Sequence, residues 1–267
     1  MIDQTFIDWE LIVVDDGSTD STDVIVRQSN DERIKYVRQQ NAGVSAARNH
    51  GVSLARYPWL AFLDSDDWWQ PSKLEKQLKA VGDFPQYRAF YTNEIWIRRG
   101  RRVNQKRKHR KSGGWIYQNC LPLCIISPSS VILKKSLLCE TNGFDESFPV
   151  CEDYELWLRL TCQNPVCFLD EDLIVKTGGH SDQLSRSRWG LDRFRIRALE
   201  KSFHSGRLTP IQRVWTAREI VAKAQILETG YRNRGKLRGA SKYEDLAANW
   251  AKAESRNVQF RSKHIEV

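Results

Sequence analysis

The chain has 267 residues, of which 40% are apolar, 10% aromatic and 28% charged. That composition supports a sizeable core and excludes intrinsic disorder for most of the chain. The net charge of +9 is concentrated in one segment, because residues 98–111 hold nine Lys or Arg and no acid. A nucleic-acid-binding protein usually spreads its charge over a face, so we expect no nucleic-acid partner. Without a long apolar run or a signal-peptide pattern at the start, we expect a cytoplasmic protein.

Short apolar strands alternate with helices in the first third of the chain. The residue pattern predicts strands at 9–14, 34–38 and 59–63 and helices at 41–55 and 72–81. This alternation is typical of a doubly wound α/β sheet, in which ligands bind at the carboxyl ends of the strands.

Strands dominate the middle of the chain, and helices follow. We expect strands within 87–99, 113–117, 125–135, 166–170 and 173–180, with the basic segment 98–111 as a hairpin connection. A helix over 151–161 would carry Glu152 and Asp153 at its N-terminus. From 191 onward the pattern is helical, with breaks predicted at Gly206 and Gly230. Because the six cysteines form no CxxC pair, free thiols are expected.

Carboxylates follow two of the predicted strands directly. They are Asp15 and Asp16 after the first strand and Asp64, Asp66 and Asp67 after the third. Because no cation is close in sequence, these groups would repel one another unless a cation shared them. Hard oxygen ligands with open positions favour Mg²⁺ or Mn²⁺ carrying a phosphate-bearing substrate. The alternative is that they only cap helices and close turns, but two acidic strand ends in one α/β unit favour a site.

Five segments, in this order and spacing, resemble family-two glycosyltransferases of the GT-A fold. They are DWELIVVDDGSTD, NAGVSAARNHG, FLDSDDWWQPSKL, NGFDE and CEDYELWLRL, and the similarity covers about residues 4–188. The resemblance implies an α/β GT-A nucleotide-diphospho-sugar transferase domain at 1–188, a Rossmann-like mixed sheet flanked by helices, with a helical extension at 189–267. It further implies transfer of a sugar, with inversion, from a nucleotide-diphosphate donor to an acceptor hydroxyl.

The resemblance also assigns roles to individual residues. Asp153 matches the catalytic base; Asp15, Asp16, Arg48 and Asp64 match donor-nucleotide residues; Asp66 and His180 match metal-binding residues. Asp67 and Glu152 are candidates for a supporting role, Glu152 beside Asp153. One base and one metal suffice chemically, since the metal stabilises the leaving diphosphate without a protein acid. The alternatives are an ion pair with a nearby acid for Arg48 and an ordinary loop position for His180.

The resemblance further implies a saccharide or lipid-linked saccharide acceptor and a place in surface polysaccharide, lipopolysaccharide or glycoconjugate synthesis. For the basic segment 98–111 the interpretations are a solvated loop or a surface for an anionic lipid or polysaccharide. The first would leave the protein free in the cytoplasm, and binding of a lipid would hold it peripherally at the cytoplasmic face of the membrane.

The sequence departs from the family pattern at its start. A family member normally begins with a strand and loop of the form VSVIIPTYN, which lies in the middle of the sheet, whereas this chain begins MIDQTF. We therefore expect unpaired strand edges and apolar faces inside the fold. Either the natural protein is longer at its N-terminus, which we favour, or this polypeptide is an inactive relative that binds the nucleotide sugar.

Overall fold

A two-stranded parallel sheet is the first part of the fold. The computed structural model describes residues 1–179 and 188–262. Its first four elements are β1 (Leu11–Asp15), α1 (Thr22–Gln28), β2 (Ile34–Arg38) and α2 (Val44–Leu54). β1 pairs in parallel with β2 from end to end, and α1 provides the crossover that a parallel pair requires. The two predicted strands and the predicted Ala-rich helix are confirmed to within a few residues.

A six-stranded mixed sheet forms the larger part of the fold. Its strands and the helices between them are β3 (Trp59–Ala61), β4 (Trp68–Trp69), α3 (Lys73–Asp83), β5 (Ala89–Arg98), β6 (Arg101–Val103), α4 (Tyr117–Cys120), β7 (Val131–Lys134), α5 (Lys135–Glu140), α6 (Glu152–Thr161) and β8 (Cys167–Gly178). The strand order is β3–β7–β5–β8–β4, with β6 paired to β5. β5 and β8 run parallel, while the other pairs are antiparallel.

A cavity separates the two sheets. Among the described strands, β1 pairs only with β2 and β3 pairs only with β7, so each keeps one edge without a strand partner. Both strands line a cavity of about 1300 Å³, and the apolar residues of β1 that face it are half-buried. The expected unpaired edges and apolar interior faces are therefore present, and the acidic strand ends lie at the same cavity.

The structure differs from the predicted strands at two places. Residues 113–117 form no extended strand: Gly114 makes an isolated bridge to Val166, and Tyr117 begins α4. The ring of Tyr117 is buried, and its hydroxyl contacts Ser202 and Thr216, so core packing decides the local structure. The two strands predicted at 166–170 and 173–180 are instead one strand, β8, which pairs with β5 through a register irregularity, as a β-bulge allows.

Three helices complete the described chain and pack into the main core. They are α7 (Asp192–His204), α8 (Pro210–Arg232) and α9 (Leu237–Ser262). Leu199 and Ile220 of these helices belong to the same buried cluster as Trp157 of α6. The predicted break at Gly206 is confirmed by its positive φ, but Gly230 lies inside α8, and the chain turns at Gly235 instead.

The division at 188/189 stays a prediction. Among the described helices, none has both the length and the apolar character needed to cross a bilayer.

Candidate active site

The acidic ends of β1 and β3 lie at the cavity between the sheets. Predicted site residues that line it are Asp16, Arg48, Asp64, Asp66, Asp67, Glu152 and Asp153. They come from the two strand ends, from α2 and from the first turn of α6, so the fold brings together residues far apart in sequence. The cavity is larger than the about 300–1,000 Å³ of a typical small-molecule site, because the gap between β1 and β3 is part of it. His180, the remaining predicted metal-binding residue, lies outside the described residues.

The two aspartates after β1 have different surroundings. Asp16 faces the cavity, and its carboxylate accepts hydrogen bonds from the backbone N–H groups of Ala42 and Gly43, both at 2.8 Å. Asp15 is buried and turned to Tyr36, whose hydroxyl donates to it, and to the N–H of Ser18. These hydrogen bonds, that of Tyr36 first, lower the pKa of Asp15 to about 2. Asp15 therefore fixes the turn, and its contact with a nucleotide stays a prediction.

Arg48 joins the two acidic regions. Its guanidinium donates to Asp64 at 2.7 Å and to Glu152 at 2.8 Å, and its side chain is 11% exposed. Burial acts to lower the pKa of Arg48, but the charges of these two carboxylates raise it. The pKa of Glu152 rises to about 7 because the group is buried beside Asp153, although Arg48 opposes the shift. Arg48 therefore forms ion pairs with nearby acids, which is the alternative that the sequence analysis left open for it.

A serine on the loop before β7 organises the turn after β3. Ser129 donates from Oγ to Asp67 at 2.6 Å, and the same oxygen accepts from the N–H of Asp64 at 3.1 Å. Asp67 also accepts from the N–H of Thr177 at 3.2 Å. Burial raises the pKa of Asp67 to about 6. These contacts fit the supporting role predicted for Asp67, because they hold the turn that carries Asp64 and Asp66.

Asp153 lies in the first turn of α6, where the helix dipole stabilises an anion. Its nearest described side-chain partner is a thiol: Cys124 Sγ lies 3.2 Å from Asp153 Oδ2. Burial raises the pKa of Cys124 well above its usual value, so at neutral pH the sulfur carries its proton and donates it. A thiol is a weak donor, which leaves the carboxylate of Asp153 largely available as a base.

Lys176 of β8 is a site residue that the sequence pattern missed. It lines the cavity, and its Nζ lies 3.3 Å from Ser127 Oγ. Burial acts to lower the pKa of Lys176, but Glu94, Asp67 and more distant carboxylates raise it. No cation is close to the acidic strand ends in sequence, but the fold brings Lys176 and Arg48 among them.

Three further cavity residues come from β5 and the basic segment, namely Glu94, Trp96 and His109. Trp96 donates from Nε1 to Glu94 at 2.7 Å, and its ring meets that of His109 edge-on at 4.9 Å between centroids. Two of them could have been found from the sequence. Glu94 and Trp96 are two positions apart on one predicted strand, so their side chains lie on the same face.

The sequence is similar to known glycosyltransferases. The model of glycosyl transferase family 2 matches residues 1–137. An uncharacterized glycosyltransferase of Rickettsia conorii is 32% identical over 178 residues, which cover 64% of this chain and 28% of the relative. UDP-Glc:alpha-D-GlcNAc-diphosphoundecaprenol beta-1,3-glucosyltransferase WfgD of Escherichia coli is 34% identical over 167 residues, 62% of this chain and 63% of the enzyme. The chain therefore spans less than two thirds of either relative.

Solved structures agree with the fold. Staphylococcus aureus TarS 1–349 in complex with UDP-GlcNAc superposes with a TM-score of 0.62 at 16% identity, covering 94% of this chain and 86% of that one. The structure of TarS 1–349 in complex with UDP superposes with a TM-score of 0.56 at 21% identity, covering 85% of this chain and 63% of that one. At such identities the likeness concerns the fold alone, and it confirms the predicted GT-A fold. Since the family model matches half of its length, the chain belongs to glycosyl transferase family 2.

Proposed function

We propose that the protein transfers a sugar from a nucleotide-diphosphate donor to an acceptor hydroxyl, with inversion at the anomeric carbon and with the help of Mg²⁺ or Mn²⁺. The observation that carries the proposal is the joint placement of Asp153 and the acidic turn after β3 on one cavity. A base and a donor-binding group must both reach the reacting sugar, and this cavity offers both.

Asp153 is the proposed base. Inversion needs one group to take the proton of the attacking hydroxyl as its oxygen approaches the anomeric carbon. The carboxylate of Asp153 meets this need because its hydrogen bond from Cys124 is weak and the dipole of α6 stabilises its charged form. Arg48, through Glu152 at 2.8 Å, fixes the beginning of α6 and so orients Asp153.

The donor is expected against the turn at residues 64–67 and the loop that holds Asp16. Carboxylate oxygens suit Mg²⁺ or Mn²⁺, and Asp66, with Asp64 beside it, would hold the ion. Within the described ranges, no group of three or more His, Cys, Asp or Glu side chains is arranged as a metal site. That finding fits an ion bound through one or two carboxylates plus substrate phosphates. When bound, the ion would stabilise charge on the leaving diphosphate, and Lys176 would add a second positive charge.

The names of the relatives suggest what the donor and acceptor are. WfgD is named for a UDP-glucose donor and a diphosphoundecaprenol-linked acceptor, and TuaG of Bacillus subtilis, 48% identical over 82 residues, for teichuronic acid biosynthesis. We therefore expect a UDP sugar, a saccharide or lipid-linked saccharide acceptor, and a role in surface polysaccharide or glycoconjugate synthesis. Cytoplasmic placement, with peripheral attachment to a membrane through residues 98–111, stays a prediction.

Thermal unfolding with and without ligands tests the proposal. A ligand that binds only the folded chain raises the unfolding midpoint. We expect UDP with Mn²⁺ to raise it, UDP with EDTA to raise it far less, and Asp66→Asn to reduce the metal-dependent part. A panel of other nucleoside diphosphates identifies the base. A chain that unfolds cooperatively but shows no shift with any of them contradicts the proposed donor site.

A second candidate is a protein that binds the nucleotide sugar without transferring it. The observation that favours it is the cavity between β1 and β3, at which neither strand edge has a strand partner among the described residues. Release of UDP from UDP sugars distinguishes the two candidates. A metal-dependent thermal shift with no UDP release supports the binding protein, while a shift with release supports the transferase.

A further inference from the structure

The basic segment 98–111 contains the turn of the β5–β6 hairpin, the strand β6 and the loop that follows it, and is here called the basic hairpin. Arg99 and Gly100 have φ values of 50° and 72°, as in the tight turns that join two antiparallel strands. Its exposed cations are Arg98, Arg99, Arg101, Arg102, Lys106, Arg107, Lys108 and Arg110. Of these eight exposed cations, only Arg102 has a carboxylate partner among the described residues, Asp172 at 3.6 Å. The basic hairpin therefore presents positive charge that the described part of the protein does not neutralise.

One wall of the catalytic cavity continues into this hairpin. Trp96 and Arg98 at the end of β5, and His109 across from them, line the same cavity as Asp153. The guanidinium of Arg98 lies 5.5 Å from the centre of the Trp96 ring. A ligand that extends outward from Asp153 along this wall would meet the indole ring first and then the cations.

A buried ion pair fixes the aromatic part of that wall. Lys111 lies 2.8 Å from Glu94, and their side chains are 2% and 5% exposed. Glu94 also accepts the hydrogen bond from the Trp96 indole at 2.7 Å. Both charged side chains are buried next to the indole of Trp96. Because a buried carboxylate needs a well-placed partner, Lys111 fixes the position of Glu94, and the hydrogen bond to Glu94 in turn orients the Trp96 ring in the cavity.

We propose that this wall is the acceptor subsite and that it takes an anionic saccharide, which rests on the function proposed above. An indole packs against the apolar face of a sugar ring while polar groups at its rim bind hydroxyls. Arginine and lysine bind carboxylate or phosphate substituents. The attacking hydroxyl would lie at Asp153, the next sugar at Trp96, and the acidic groups at Arg98 and Arg99.

Two other partners for the basic hairpin fit less well. A bilayer surface would contact the exposed cations but leave Trp96 unused, because its side chain is only partly exposed and lies inside the cavity. Single-stranded nucleic acid needs aromatic rings interleaved with the cations, and residues 98–111 contain no Phe, Tyr or Trp. The combination of one indole in the cavity with cations at its mouth favours a saccharide with charged substituents.

Binding of model ligands to the full chain tests the proposal. The probes are trigalacturonate as the anionic saccharide, a neutral galactose trisaccharide, tripolyphosphate as charge without sugar, and phosphatidylglycerol vesicles. We expect trigalacturonate to bind about tenfold more tightly than the neutral trisaccharide, with binding that weakens as salt rises. Both Trp96→Ala and the double variant Arg98→Ser, Arg99→Ser should lose about tenfold, as expected for central contact residues.

A second double variant with the same change in net charge is the control. Arg238 and Lys242 are exposed cations on α9 that do not line the cavity. Arg238→Ser with Lys242→Ser should leave the affinity for trigalacturonate within about twofold, because salt screens exposed charges that are far from the ligand. If Trp96→Ala does not fold, Trp96→Phe tests the same contact. The thermal shift with UDP and Mn²⁺ is measured for each variant, so that failure of the donor site is seen separately.

Three results overturn the proposal while the donor shift is retained. The first is no preference for trigalacturonate over the neutral trisaccharide. The second is tripolyphosphate binding as tightly as trigalacturonate, with Trp96→Ala changing neither, which would make the hairpin a charged surface only. The third is vesicle binding that depends on Arg98 and Arg99 without trigalacturonate binding, which would make it a membrane contact. Loss of the donor shift in the unmodified chain instead contradicts the function proposed above.

Discussion

Replacing Arg48 with methionine keeps the length of the side chain but removes the cation that two carboxylates share. Glu152, with a side chain 6% exposed, would lose a partner at 2.8 Å, and Asp64, 29% exposed, a partner at 2.7 Å. Breaking a buried ion pair by removing one member costs about 3–5 kcal/mol, because the other charge stays desolvated. Half-exposed groups such as Asp64 add less. We therefore expect Arg48→Met to lower the free energy of unfolding by about 3 kcal/mol at pH 8.

The loss should depend on pH. The pKa of Glu152 is raised to about 7 in the folded chain, so at pH 5 this group is protonated with or without Arg48. Its folded form binds the proton more tightly than the unfolded form, and the associated stability is lost as pH rises through about 7. The penalty of Arg48→Met should accordingly fall to about 1 kcal/mol at pH 5, which is the share of Asp64.

Urea unfolding at pH 5 and pH 8 measures both values. Arg56 provides a matched control, since it also pairs with a carboxylate, Glu10 at 2.9 Å, but its side chain is 77% exposed. Arg56→Met should cost no more than about 0.5 kcal/mol. Equal penalties for Arg48→Met at the two pH values, or a penalty at pH 8 no larger than that of the control, would refute the reasoning.

Three further outcomes are expected. Cys124→Ser gives Asp153 a stronger hydrogen-bond donor and so makes it a weaker base, and UDP release should be slower than in Cys124→Ala, which removes the donor; equal rates in the two variants contradict the contact. Tyr117→Phe removes the buried hydroxyl that contacts Ser202 and Thr216, so the free energy of unfolding measured with urea should fall by about 1–2 kcal/mol. An unchanged free energy of unfolding would contradict a stabilising role of these two contacts. Amides of β1 and β2 should exchange hydrogen faster than those of β5 and β7, because a two-stranded sheet with an open edge unfolds locally at low cost; equal protection would argue against an open edge.

Local sequence patterns predicted the elements that carry the site. Short apolar runs that stop at carboxylates predicted β1 and β3 with their acidic ends, and apolar spacing predicted α6 with Asp153 in its first turn. These features are short-range. Periodicity within a few residues is enough to place them.

The contacts that these site residues make could not be predicted from local sequence patterns. Arg48 and Glu152 are 104 positions apart, and Cys124 and Asp153 are 29 apart, so only the folded chain brings them together. Core packing also overrode local preference where Tyr117 is helical rather than extended. A glycine in a helix costs only about 1 kcal/mol relative to alanine, and α8 accordingly continues through Gly230.

The role of Asp153 is the central claim, and one variant tests it most directly. Asp153→Asn keeps the size of the side chain and removes its capacity to take a proton. We expect the UDP and Mn²⁺ thermal shift to match that of the unmodified chain, while UDP release from the donor in the presence of acceptor falls by about 10²–10⁴-fold. Turnover that is unchanged in this variant, with donor binding intact, would contradict Asp153 as the base.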